Sequence, residues 1–186
     1  MKSLRFVTAV LLSLTTLAFA ASDAHKSVSQ SNAQKSFDEI KALAGTWEGH
    51  VTVDPPDTEN NNKPVQISMR ITSRGNAFVH EMQEAGTPLD PKKYDHPVTM
   101  FYVDNGRLTL IHYCDAGNRP HMVGKPSLDG KKVEFALVDV SGSTQYGHMD
   151  HAVFTFVDPD HHVEDWTYIM PGNKAVHAHM DLVRTK

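Results

Sequence analysis

The chain has 186 residues, with 22 acidic and 18 basic side chains, 12 histidines and one cysteine. A net charge of −4 with both signs interspersed excludes the basic footprint of a nucleic-acid binder and a polybasic patch for a membrane surface. A single cysteine, Cys114, excludes an internal disulfide, so stability has to come from core burial, which this length supplies.

Lys2 and Arg5 precede an apolar run from Phe6 to Ala20 that closes on Ala18-Phe19-Ala20, two small residues around a bulky one. That order predicts a signal peptide over 1–20 and an exported product, periplasmic or secreted. The run is short and broken by Ser13, Thr15 and Thr16, and no later stretch is apolar enough for a membrane helix. No stable membrane insertion is expected after cleavage; a retained anchor is the competing reading. Residues 21–35 are rich in Ser, Ala, Asn and Gln without apolar periodicity, and are expected to be a disordered mature N-terminus. The domain is then 36–186. Ser36-Phe37-Asp38-Glu39 has the spacing of a capping box and predicts one short helix over 37–43, stopped by Gly45.

Beyond Gly45 short β-rich runs alternate with turn residues. Strands are expected at about 46–53, 64–73, 77–84, 97–104, 107–115, 119–125, 132–139, 150–157, 162–169 and 175–184. Asn105-Gly106 is a hairpin signal, since both central residues of that turn need positive φ. Arg74-Gly75-Asn76, Asp129-Gly130, Asp158-Pro159-Asp160 and Pro171-Gly172-Asn173 are comparable turns. Serial hairpins without helices between them predict an all-β, up-and-down antiparallel barrel of about ten strands, because closure removes the exposed edges. The competing arrangement is a two-sheet sandwich.

At Leu43-Ala44-Gly45-Thr46-Trp47-Glu48-Gly49 a short helix runs into Gly-x-Trp at the first strand. This resembles the opening of calycin barrels, the lipocalins and fatty-acid-binding proteins. The resemblance implies that Trp47 packs at the barrel base. His96 to Tyr102, His112 to Pro120, His148-Met149 and Glu164 to Thr167 are similar to a family of small exported bacterial proteins of unknown function. That second resemblance covers most of 37–184 and implies a barrel and export, but no chemistry.

A barrel of this size tends to enclose a cavity, which makes its inward residues the candidate site. Leu108, Leu110, His112 and Cys114 share a strand face that the leucines turn inward, placing His112 inside beside a buried Cys114, unless that thiol pairs between chains. His112 then reads as a ligand contact, a metal ligand, a proton carrier or a core histidine. Tyr102, on the Val98–Met100 face, is expected to add a hydroxyl inside. Asn118 and Arg119 sit in a turn at a barrel opening, where they would orient a polar head group. His148 with Asp150, and Glu164 with Trp166 and Tyr168, are placed at the same mouth; His96, before Pro97, lies at a barrel end. His177, His179 and Asp181 lie opposite the apolar face of Val176, Ala178, Met180 and Leu182, so they are expected outside, with His161-His162 likewise solvated. No catalytic residue and no metal ligand is assigned, and the strong catalytic and phosphate-binding signatures are absent.

The leading expectation is therefore a barrel that binds a small hydrophobic or amphipathic molecule. Haem or a divalent metal held by interior histidine is one alternative, motivated by the histidine excess. An enzyme using interior His with Asp or Glu as acid and base is another. A protein that displays loops to a partner is the last.

Overall fold

The computed structural model describes residues 31–57 and 61–186. Among these, one helix, α1 (Asn32–Lys41), is followed by ten strands. They are β1 (Gly45–Asp54), β2 (Lys63–Thr72), β3 (Ala77–Glu84), β4 (Val98–Asp104), β5 (Arg107–Tyr113), β6 (Arg119–Pro126), β7 (Lys132–Ser141), β8 (His148–Asp158), β9 (His161–Met170) and β10 (Lys174–Arg184). Each expected strand lies within two residues of an observed one at both ends. Every strand pairs antiparallel with its sequence neighbours, and β1 closes on β10 with Trp47 opposite Arg184 and Asp54 opposite His177. The sheet is a closed barrel, not a sandwich.

The turns have the predicted chemistry. Asn105 and Gly106 both take positive φ, 48° and 73°, in the tight link between β4 and β5. The helix starts earlier than its sequence suggested. Ser31 is the N-cap, its side chain accepting from the Gln34 amide at 3.2 Å, while Ser36 is buried inside the helix. The first turn, Asn32-Ala33-Gln34, is polar and shows no apolar period, so the capping spacing at Ser36 outweighed it in the sequence. Residues 31–35 accordingly belong to the ordered domain; the expected signal peptide and residues 21–30 lie outside the described residues.

The helix plugs one end of the barrel. It packs against β4 and β5, and Phe37, Ile40 and Leu43 join the core. Trp47 is fully buried beneath it and donates from Nε1 to the Leu43 carbonyl at 2.8 Å, which is the basal position the calycin resemblance implied. The Arg184 guanidinium lies 4.1 Å over the Trp47 ring and donates to the carbonyls of Ala42 and Ala44, tying the helix C-terminus to the end of β10. Above this plug Phe101, Phe135 and Phe154 meet edge-on, with ring centroids 5.4 to 5.9 Å apart. The plugged half of the lumen is therefore filled, and space remains only towards the opposite end.

Close approach of the walls depends on glycine. A Cβ at Gly49 would collide with the Asp181 carbonyl across the β1–β10 seam and sit 3.1 Å from Leu182 Cδ2. Gly49→Ala is expected to cost about 2–3 kcal/mol, because backbone cannot yield as a side chain can. Urea unfolding should show a lower midpoint at unchanged slope; an unaltered midpoint would mean that the seam is looser than described.

Candidate functional site

Three consecutive inward positions of β9, His162, Glu164 and Trp166, cross the lumen to meet β3. Glu164 is 0 % exposed, yet carries a carboxyl group amid apolar side chains. Trp166 Nε1 donates to its Oε2 at 2.9 Å, His162 Nε2 to Oε1 at 3.0 Å, and His80 Nε2 lies 3.1 and 3.2 Å from the two oxygens. Burial by itself would push this carboxyl up; the facing His80 and the hydrogen bonds from His162 and His80 outweigh it and hold Glu164 below the usual carboxylate range. An ionised carboxylate only accepts, so Nε2 of both histidines carries a proton. The edge of the His162 ring packs against Trp47 at 4.2 Å between centroids, linking this cluster to the barrel base.

Beside the cluster, one inward row runs across β3, β4 and β5 as His80, Thr99 and His112. Thr99 Oγ1 and His112 Nδ1 are 2.9 Å apart, both residues being buried. Desolvation by burial, then neighbouring His80, lower the His112 pKa to about 4, so the ring is neutral at ordinary pH. Its tautomer follows from proton accounting. Thr99 has no other hydrogen-bond partner for its hydroxyl among the described residues. If Nδ1 held the ring proton, the hydroxyl proton and the Nε2 lone pair would both be buried without a partner, whereas a proton on Nε2 leaves only that N–H unpaired. We therefore assign Thr99 as donor to Nδ1, with the ring proton on Nε2. That Nε2 is buried and has no partner, as is Nδ1 of His80.

His80, His112 and Trp166 form the floor of a cavity of about 360 Å³ at the end of the barrel opposite the helix. Its walls are apolar, from Val51, Val65, Met82, Met149, Ala178 and Met180. Asp95, Cys114, Asp115 and Tyr168 stand at its mouth. Cys114 lies just past the end of β5, half-buried and free, which differs from the buried thiol expected from strand alternation. Burial and the nearby Asp95 and Asp115 outweigh the Ala116 amide and push the thiol pKa up, so it is a poor nucleophile. Partial burial and Asp115 likewise push the Asp95 carboxyl up.

Of the expected site residues, His112, Cys114 and Trp166 come together at this cavity. Tyr102 does not: the inward residues of β4 are Thr99 and Phe101, and Tyr102 lines an outer groove with Arg119, His121 and Asp139. The run Val98 to Val103 is apolar on both faces, so alternation could not orient it. Arg119 is exposed on the same outer groove and donates to Ser141 Oγ at 3.2 Å. Asn118 is buried as a strap instead, its Nδ2 donating to the carbonyls of Ser143 and Gly147 at 2.9 and 2.7 Å and joining two loops. His148 is turned away because an irregularity between Met149 and His151 inserts Asp150 and gives the inward place to Met149. His96 stacks near Tyr94 in an adjoining recess with Lys92 and Lys93, outside the cavity wall. His162, expected in solvent, is fully buried as the first inward residue of β9. His177, His179 and Asp181 do face outward, with His179 on Asp165 and His161 on Asp181, each at 2.7 Å. Among the described residues no group of three or more His, Cys, Asp or Glu is arranged to hold a metal ion.

No protein-family model matches the chain, and no curated protein matches it. The structure is similar to that of Rv2717c from M. tuberculosis, at 14% identity and a TM-score of 0.57, covering 81% of this chain and 98% of that one. It is also similar to a protein with unknown function of the DUF3598 family from Nostoc punctiforme, at 9% identity and a TM-score of 0.50. There the match covers 78% of this chain and 49% of the other, so this chain spans about half of that protein. At such identities the likeness is one of fold alone.

Two outcomes follow from the geometry. The low pKa of His112 means that the unfolded chain takes up a proton between pH 6.5 and about 4 while the folded one does not. Stability is thus lost as pH falls through that window, by on the order of 3 kcal/mol. His112→Leu should abolish that part of the acid sensitivity, read as urea unfolding free energies from pH 7 to pH 4. Glu164→Ala leaves three buried donors without an acceptor and should cost about 3–5 kcal/mol at pH 7; a loss below about 1 kcal/mol would contradict the cluster described.

Proposed function

We propose that this is an exported barrel that holds a small, mainly apolar or amphipathic molecule in the cavity above His80, His112 and Trp166. One observation carries the reading: a void of about 360 Å³ with apolar walls, whose floor includes buried His112, a residue with one ring nitrogen left without a partner. Protein interiors are close-packed with few voids larger than a water molecule, and small-ligand pockets are apolar with a few convergent polar groups. The barrel resembles calycins at Gly45-Thr46-Trp47, whose architecture suits such carriage. Export rests on Lys2, Arg5 and the Ala18-Phe19-Ala20 pattern.

A second reading uses the same neutral imidazole as an axial ligand to haem or another metal complex. It requires the free lone pair on Nε2, hence the opposite tautomer, with the Thr99 hydroxyl proton left unsatisfied. Proton accounting therefore favours an organic ligand. An acid–base enzyme would draw on His80 and Glu164, but Glu164 is enclosed and cannot touch a substrate.

Native mass spectrometry of protein purified from its own compartment tests the proposal. The expected result is a mature chain beginning at Ala21 and a bound organic mass that leaves on unfolding. Ala178→Phe, which fills the cavity, should abolish retention while leaving the melting temperature within a few degrees. A Soret band in the same sample would instead support the haem reading, and retention undiminished in Ala178→Phe would remove the ligand from this cavity.

A further inference from the structure

The chemistry of the cavity floor narrows what such a ligand has to be. Three features bear on it. His112 presents a buried Nε2 without a partner on a residue that lines the cavity, and its Nδ1 is already engaged by Thr99. Satisfying the Thr99 hydroxyl leaves that Nε2 as a donor, so what it lacks is an acceptor. The carboxylates among the cavity-lining residues are Asp95 and Asp115, and Lys92 and Lys93 line the adjoining recess instead of the cavity. Asp95 and Asp115 stand at the mouth, and Glu164 lies behind the floor with His80 already paired to it. An anion entering this space would face two carboxylates and gain no unpaired cation among the cavity-lining residues.

We propose that the cavity selects a neutral molecule with an apolar body and one hydrogen-bond acceptor, a carbonyl oxygen in its simplest form, taken by His112 Nε2–H at the floor. The inference rests on the binding function proposed above and specifies its ligand class. The Thr99 hydroxyl is the positioning group, because it fixes which ring nitrogen holds the proton. A buried donor left unpaired rejects an analogue without the acceptor far more strongly than an apolar wall rejects a missing methylene.

The test uses three probes with one apolar body: 2-acetylnaphthalene, 2-isopropenylnaphthalene, in which a methylene replaces the carbonyl oxygen, and 2-naphthoate. Dissociation constants are measured by calorimetry for the wild type and His112→Leu. The quantity read is the ratio of the hydrocarbon's constant to the ketone's, since the two differ in water solubility. That ratio is expected to fall at least tenfold in His112→Leu, with hydrocarbon binding retained and naphthoate weakest in the wild type. An unchanged ratio, or naphthoate binding tighter than the ketone, overturns the acceptor assignment and leaves the cavity as a binding site. Failure of all three probes to bind overturns the cavity reading itself. Should His112→Leu not fold, Thr99→Val is expected to reduce the ratio by about threefold. Nitrogen NMR of the wild type should find the proton of the neutral His112 ring on Nε2; a proton on Nδ1 overturns the proposal without any ligand.

Discussion

A carboxylate with no access to water, in the middle of a β-barrel, is the constraint around which the rest is arranged. Glu164 is tolerated there because Trp166, His162 and His80 all point donors at it. An ionised group at that depth would otherwise cost far more than a small domain's whole stability margin. The donors come from two strands on opposite sides of the lumen, β9 and β3, so the cluster also sets how those walls face each other. Its neighbours inherit their states from it. His80 is committed to the carboxylate, and burial first, then the neighbouring His80, keeps the His112 imidazole neutral.

The polar belt divides the lumen. On one side the helix, Trp47 and the phenylalanine cluster fill the space with fully buried, mutually packed side chains. On the other, Met and Val side chains leave a void with two imidazoles and an indole as its floor. The ends differ because the helix and Arg184 seal one of them, whereas loops and the strap made by Asn118 frame the other. Access is therefore confined to the end where the carboxylates of Asp95 and Asp115 stand, and anything that enters passes them before reaching His112.

The fold was largely legible, and for identifiable reasons. Turn residues such as Asn105-Gly106 mark where the chain must reverse, and β10 separates Ala178, Met180 and Leu182 from His177, His179 and Asp181 without ambiguity. The site was legible only where one face of a strand is clearly apolar, as at Leu108, Leu110 and His112. It failed at Tyr102, where both faces are apolar, and at His148, where one inserted residue reverses the alternation. His162 was misplaced for a different reason. In β9 the polar set His162, Glu164 faces inward while Val163 faces out, which inverts the rule that the apolar face is the buried one.

The sequence by itself determined the strands, their turns and the inward setting of Leu110 and His112, while the seat of Trp47 was implied by the resemblance to calycins. Period-two patterning and turn chemistry are local, and they act over a few residues. Tertiary structure decided that β1 and β10 meet, that Glu164 finds its donors across the lumen, and that the Thr99 hydroxyl lies beside Nδ1 of His112. Those are contacts between residues 13 to 137 positions apart, such as Thr99 with His112, His80 with Glu164 and Trp47 with Arg184. Thr99 meets His112 across a single hairpin, but only the closed barrel brings His80 to Glu164 and Trp47 to Arg184, and no local pattern records whether a buried polar residue has a partner.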